Sequence, residues 1–508
     1  MSTKGSAGRQ DDERRDGRSE GGRSEGGRSE GGRREGGRRD GGRAGVDGRG
    51  QDGNGPVARR ERAVRSAVEQ GLITEASPVV GLLDVTGIRG AAASLRTAFD
   101  EVTTPGTPVL HAFAVKAASL VPVLRLLADE GLGCEVASPG ELALARAAGL
   151  PASRTVLDSP AKTHAELREA LDLGIALNAD NWEELARLDA LVADRVGPPP
   201  VGLRINPQIG GGAIDALSTA TATSKFGVPL RDDGPDGGTP DEVRGRVVRA
   251  FLDRPWLTRV HVHSGSQGME PTAMAAGARA AYALAEEINA TAGRRQVDTL
   301  DIGGGLPVDF GSDAPPDFAG YARLLATTVP GLLDGRYGLV TEFGRSLLAK
   351  SGLVLARVEY AKSAGARTIA VTHAGAQVAT RTAFAPQSWP LRVCAYDAKG
   401  LPKGGPTVAQ DVAGPCCFAG DLVAENRPLP RLAAGDLAAL LDTGAYYFSN
   451  HFAYNSLPRP AVYGFTDDPS VPGGVRFALA RPQQTVEEIV AESGAAQRDA
   501  LTGGLLRG

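Results

Sequence analysis

After Ala58, short apolar runs ending in Gly, Asn, Asp or Ser alternate with longer stretches rich in Ala, Leu, Glu and Arg. The apolar runs are LHAFAVKA (110–117), GCEVASPG (133–140), TVLDSP (155–160) and IALNADN (175–181). They continue as VGLRINP (201–207), RVHVHSGSQ (259–267), TLDIGGG (299–305) and LVTEFGR (339–345). Between them, segments such as LVPVLRLLADEG, GELALARAAGL and NWEELARLDALVADR have helical composition. Strand alternating with helix predicts parallel βαβ units, and eight such strands are the number that closes a (β/α)8 barrel. An open doubly wound sheet would instead carry a glycine fingerprint after its first strand, and Lys116-Ala117-Ala118-Ser119 is not one.

Beyond Arg345 the pattern changes. VLARVEYAKS, TIAVTHAG, LRVCAYDA, TVAQDVAG and LAALLDTGAY are β-prone and separated by Gly, Pro and Asp turns. They predict a second, mostly antiparallel β-domain over 346–508, closed by a helix near 484–494. The barrel is expected over 80–345, and residues 57–79 are expected to pack on the β-domain.

Residues 1–56 differ in kind. From Gly21 to Arg43 the unit GGRSE recurs as GGRSE, GGRRE, GGRRD and GGR, with almost no apolar residue. Such a segment cannot bury enough surface to fold, so a disordered tail is expected. Its alternating acids cancel the field that would attract phosphates, which argues against a nucleic-acid arm.

The whole chain has 508 residues, 42% hydrophobic and 23% charged, with formal net charge −4. That balance asks for neither nucleic acid nor an anionic membrane. No apolar run is long enough to span a bilayer, and the N-terminus lacks a signal-peptide core. Cys134, Cys394, Cys416 and Cys417 form no CxxC pair, which fits a reducing cytoplasm. His261 and His263 form an H-x-H pair without zinc-ligand spacing, so no metal is expected.

In a barrel, the polar residues at strand ends converge on one face despite their separation in sequence. Lys116 follows the first strand, His263 the sixth, Gly303-Gly304-Gly305 the seventh, and Glu342 with Arg345 the eighth. A desolvated lysine amine can form a Schiff base. Three glycines let backbone N–H groups approach a phosphate, to which Ser266 would add a hydroxyl and Arg345 a charge. A lysine, a phosphate cradle and a carboxylate in one mouth suggest pyridoxal 5′-phosphate, with Glu342 on the pyridine nitrogen.

The chain carries, in order, FAVKA (113–117), EVASPGEL (135–142), RINP (204–207), SKFG (224–227), HVHSGSQ (261–267), DIGGGLP (301–307), EFGR (342–345), GPCCFAGD (414–421), DTGAY (442–446) and YNSLPRP (454–460), motifs of a resemblance that spans roughly 60–465. The chain resembles the fold-type III pyridoxal-phosphate decarboxylases, which include diaminopimelate, ornithine and arginine decarboxylases, with the diaminopimelate pattern closest. The resemblance implies Lys116 as the Schiff-base lysine and His263 stacked on the pyridine face. It places Ser266, Gly303, Gly304, Gly305, Arg345 and Tyr446 at the phosphate or the substrate, and Glu342 at the ring nitrogen. Cys417 would be an active-site cysteine supplied by the second subunit of a homodimer with shared active sites.

Three positions depart from the diaminopimelate pattern. That pattern usually has a glutamate directly after the active-site cysteine, where it recognises the distal amino group; here Phe418 stands there. Arg381 is retained for a substrate carboxylate, while the tyrosine expected after it is replaced by Phe384 and Ala385. Ala118 follows FAVKA in place of an asparagine. These changes leave the cofactor residues intact and alter the distal pocket, so an α-amino-acid decarboxylase of open substrate is expected. An amino-acid racemase on the same barrel and a non-catalytic regulator are the competing readings.

Overall fold

The structure is a computed structural model and describes residues 55–504, apart from 194, 196, 198, 199, 233 and 235–237. The predicted tail therefore lies, but for its last two residues, outside the described residues.

Eight parallel strands form a closed barrel: Val109–Ala114, Gly133–Val136, Thr155–Leu157, Ala176–Ala179, Val201–Asn206, Leu257–Val262, Thr299–Asp301 and Gly338–Thr341. Each pairs with the next, and Gly338–Thr341 pairs back onto Val109–Ala114 to close the ring. Each of the eight apolar runs overlaps one of these strands, and five contain theirs whole. The two-residue strand Val228–Pro229 hangs on Val201–Asn206 outside the ring.

The connecting helices follow local rules. In His164–Leu173, the Thr163 side chain accepts from the Glu166 N–H while Glu166 reaches back to the Thr163 N–H at 2.7 Å, a reciprocal cap. Leu167, Ala170 and Leu171 form its buried stripe, and Gly174, at φ 74°, ends it in the left-handed region.

The second sheet is mostly antiparallel. Its long central strand, Gly352–Ala364, pairs with Val79–Asp84, Arg367–Thr372 and Leu437–Leu441. Thr407–Ala413 and Leu422–Pro430 extend it at one edge, and Ala461–Asp467 and Val475–Arg481 at the other. Leu422–Pro430 contains Pro428 and Pro430, which only an edge strand tolerates, and it does lie at the edge. The domain also carries a helix, Ala376–Phe384, inside a region whose sequence reads as β-rich, and ends in the helix Val486–Glu492.

The expected barrel boundary at residue 80 needs correction. Val79–Asp84 is a buried apolar strand that pairs antiparallel with Gly352–Ala364 and parallel with Ala461–Asp467. The chain thus begins in the β-sheet, preceded by the helix Pro56–Glu69, and enters the barrel only after Asp84. Asp84 marks the crossing: its carboxylate accepts from the Gly87 N–H and caps the helix Val85–Asp100.

Among the described residues, no helix is long and apolar enough to cross a membrane.

Candidate active site

Val109–Ala114 gives way at its carboxyl end to a single 3-10 turn, Val115–Ala117, which carries Lys116. A loop from the β-domain fixes this turn: Tyr446 N–H donates to Ala117 O at 2.6 Å, and Ser449 Oγ to Lys116 O at 2.8 Å. Tyr446 adopts φ 67°, a left-handed conformation that a tyrosine takes only when its surroundings enforce it. The Lys116 amine lies 2.5 Å from the carboxylate of Glu135, a 1%-exposed side chain on the neighbouring strand, while Lys116 itself is 43% exposed toward the mouth. Burial pulls this amine down, but Glu135, Tyr446 and Glu342 outweigh it, and Lys116 stands above its ordinary value.

The Gly303-Gly304-Gly305 loop is wedged between strand ends. A Cβ on Gly304 would come 2.0 Å from Glu342 O, and one on Gly305 1.9 Å from Gly265 O and 3.3 Å from Ser266 Cα. Gly303 and Gly305 also have φ of 67° and 108°. No side chain larger than hydrogen fits this loop. Gly304 N–H donates to His263 Nδ1 at 3.2 Å, leaving Nε2 to carry the ring proton. Burial, then Arg204 and Lys116, push His263 down to about 3, so the imidazole stays neutral near pH 7. Imidazole NMR is expected to show His263 neutral and non-titrating between about pH 5 and pH 8.

Glu342 is buried, with His263 Nδ1 3.5 Å from one carboxylate oxygen and His261 Nε2 3.7 Å from the other. Burial and then Glu135 raise it, while Asp158, Lys116 and Arg204 pull it down.

Two guanidinium groups complete the mouth. Arg345 lies 4.5 Å from the ring centroids of both Trp389 and Tyr446, and Arg381 lies 5.0 and 4.6 Å from the same rings. Arg345 Nε and Nη1 and Arg381 Nη1 are buried, with no hydrogen-bond partner among the described residues. Burial, together with the neighbouring charge of Arg381, brings Arg345 down to about 10 despite Tyr446. Two like charges share one aromatic pair and no carboxylate, an arrangement that calls for an anion.

The fold thus brings Lys116, His263, Ser266, the three glycines, Glu342, Arg345, Arg381 and Tyr446 to one region. Cys417 and Phe418 form a separate group. Cys417 N–H donates to Asn455 Oδ1 at 2.8 Å, and Phe418 stacks on Phe384 at 5.4 Å and meets Tyr454 edge-on at 5.6 Å. Among the described residues, none of their hydrogen bonds or ring contacts reaches the Lys116 group.

Several site residues carry no assignment in the sequence reading: Glu135, Asp158, Arg204, His261, Asp301 and Trp389. All but Trp389 lie on or directly after barrel strands, inside the segments EVASPGEL, TVLDSP, RINP, HVHSGSQ and TLDIGGG. A buried ionisable residue in an apolar strand was the available signal.

A family model described as the pyridoxal binding domain of pyridoxal-dependent decarboxylases matches residues 91–349. The chain belongs to this decarboxylase family. The diaminopimelate decarboxylase of Pseudomonas aeruginosa is 33% identical to it over 393 residues, 76% of this chain and 86% of that protein. The diaminopimelate decarboxylase of Actinosynnema pretiosum is 32% identical over 416 residues, 80% and 87% of the two chains. A crystal structure of a diaminopimelate decarboxylase shares 26% identity at a TM-score of 0.70, covering 87% of this chain and 98% of that one. The Helicobacter pylori enzyme complexed with L-lysine, at 24% identity and a TM-score of 0.71, matches in fold.

The decarboxylase's cofactor is pyridoxal 5′-phosphate, and the residues present fit it. They supply an amine, an enclosed carboxylate for the ring nitrogen, a side-chain-free glycine loop, and buried guanidinium donors without partners.

Proposed function

We propose that this decarboxylase acts on an α-amino acid bearing a second, distal carboxylate, and that it does not recognise a distal ammonium. The observation that carries this reading is the pair Arg345 and Arg381, buried around Trp389 and Tyr446 without an acidic partner. An unpaired buried charge costs several kcal/mol, so these guanidiniums call for anions: the cofactor's phosphate or a substrate carboxylate at Arg345, and the distal carboxylate at Arg381. Phe418 supports the second half: the residue following Cys417 offers no carboxylate to pair with an ammonium.

When bound, pyridoxal 5′-phosphate supplies the electron sink for the pair left when the Cα–carboxylate bond breaks. Lys116 would anchor it through Nζ and return to release product. Glu342 would hold the ring nitrogen, neutral His263 would lie on the ring face, and Ser266 with the glycine loop would hold the phosphate. Arg345 and Tyr446 would serve the phosphate or the substrate, and Arg381 the distal carboxylate. Cys417 Sγ or a water would deliver a proton to Cα.

The active unit in this reading is a homodimer in which Cys417 and Phe418 of one chain complete the other's site. Phe384, at 59% exposure, and Tyr454, at 38%, surround Phe418 and leave an aromatic face open beside exposed Cys417.

The test compares kcat/KM for meso-diaminopimelate and for 2-aminopimelate, the same chain without the distal amine. The enzyme is expected to prefer 2-aminopimelate by about 100-fold, the worth of a buried unpaired ammonium. A preference for meso-diaminopimelate would overturn the reading. Arg381→Ala is expected to raise KM for the dicarboxylic substrate about 30-fold or more while changing kcat little, as checked by steady-state kinetics.

A further inference from the structure

Beside Glu342 lies a group of buried side chains that have no part in binding substrate or cofactor in the proposed function. Asp158 follows the strand Thr155–Leu157, His261 is on Leu257–Val262, and Asp301 closes Thr299–Asp301. They are 6%, 1% and 1% exposed. His261 Nδ1 lies 3.4 Å from Asp158 Oδ1, and its Nε2 3.7 Å from Glu342 Oε1. Both imidazole nitrogens, Asp301 Oδ2 and Glu342 Oε1 are buried without a hydrogen-bond partner among the described residues. One oxygen or nitrogen from each of the four groups lies within 4.8 Å of the others.

Three carboxylates this close cannot all be ionised, so the group holds at least one proton. Burial keeps His261 below its ordinary value and therefore neutral. Burial and then Glu342 push Asp301 well up. Burial raises Asp158 to about 6 against the pull of His261, with Glu342 adding to the rise. The charged and titratable groups facing Asp158 are Glu135, Lys162, Arg259, His261, His263, Asp301 and Glu342. The loop that follows Asp158 is held: Lys162, fully buried, pairs with Glu184 at 2.8 Å and donates to Ser159 O at 2.6 Å. Asn178 Nδ2 donates to Asp158 Oδ2 at 3.3 Å.

We propose that Asp158, with His261 and Asp301, forms a proton-sharing floor that holds Glu342 in place and sets the charge it presents to the cofactor's ring nitrogen. Asp158 is thus a positioning residue. The inference rests on Glu342 facing that nitrogen.

The experiment measures Asp158→Asn, Asp158→Leu and Glu342→Gln in the full chain, with and without pyridoxal phosphate. A carboxyl whose pKa is higher folded than unfolded stabilises while protonated, and that stability is lost as pH rises through the folded value. Cofactor-free wild type is therefore expected to lose melting temperature as pH rises from about 4 through 6, whereas Asp158→Asn loses less and melts higher than wild type at about pH 8. In the loaded enzyme, removing one anion is expected to lower the pH at which the cofactor's visible band titrates by about one unit or more in Asp158→Asn. Asp158→Leu, which loses the donor, is expected to release cofactor about 10-fold faster. An Asp158→Asn protein with wild-type melting and band profiles overturns the proposal, as does a stoichiometric divalent ion retained through dialysis, which would make these groups metal ligands. If Glu342→Gln also leaves the band titration unchanged, the reading of Glu342 fails. If only the Asp158 variants are silent, this inference fails alone.

Discussion

A Lys116→Ala enzyme is expected to lose kcat by about 1000-fold or more and to lose its covalent hold on the cofactor. The wild-type amine sits at the open mouth, with Glu135 buried 2.5 Å away and Glu342 also acting on it. Those acids hold the proton on the free amine, whose covalent partner in the loaded enzyme would be the cofactor's aldehyde. Borohydride reduction followed by denaturing dialysis separates the outcomes. Wild type keeps a chromophore on the peptide that contains Lys116, and the variant loses it all. A variant that retained a reduced, covalently bound cofactor would remove Lys116 from this role.

The second large effect is expected from Gly304→Ala. Its new methyl would meet Glu342 O at 2.0 Å and Glu342 C at 2.6 Å, both backbone atoms that cannot swing aside. Either the glycine loop or the strand end carrying Glu342 must move, so one substitution disturbs both the loop proposed to cradle the phosphate and the carboxylate proposed to hold the ring nitrogen. A loss of about 2 kcal/mol or more of stability is expected, together with a cofactor affinity weakened about 100-fold. Gly90→Ala is the contrast. Gly90 lies inside the helix Val85–Asp100 with nothing within 4 Å of its Cβ position, so alanine there is expected to stabilise by about 0.5–1 kcal/mol. Denaturant unfolding and cofactor titration of the two variants check both results.

The eight barrel strands were legible because parallel strands buried on both faces read as apolar runs, and each ends in residues that break a strand. Lys116, His263 and Glu342 were legible for a related reason: barrel topology gathers strand ends, so position along the chain converts to position at the mouth. Asp158, His261 and Asp301 obey the same rule and were missed. Their chemistry lies in mutual proximity, which no spacing in sequence records. Trp389 was hidden differently. Its site contacts come from Arg345 in the barrel and from Arg381 in the β-domain, a long-range meeting without a local pattern. The expected start of the barrel fell at residue 80 rather than after Asp84 because composition alone does not assign VVGLLD to a sheet; its pairing with Gly352–Ala364 and Ala461–Asp467 does.

Decarboxylation is tested most directly by the fate of the α-carboxylate. The loaded enzyme, in deuterium oxide, is given 2-aminopimelate labelled with carbon-13 at C1, and the gas and the amine product are analysed by mass spectrometry. Labelled carbon dioxide is expected in a one-to-one ratio with an amine that has lost C1 and gained one deuterium at the former Cα. Substrate that keeps its labelled carboxylate while exchanging deuterium at Cα would indicate racemisation and contradict decarboxylation.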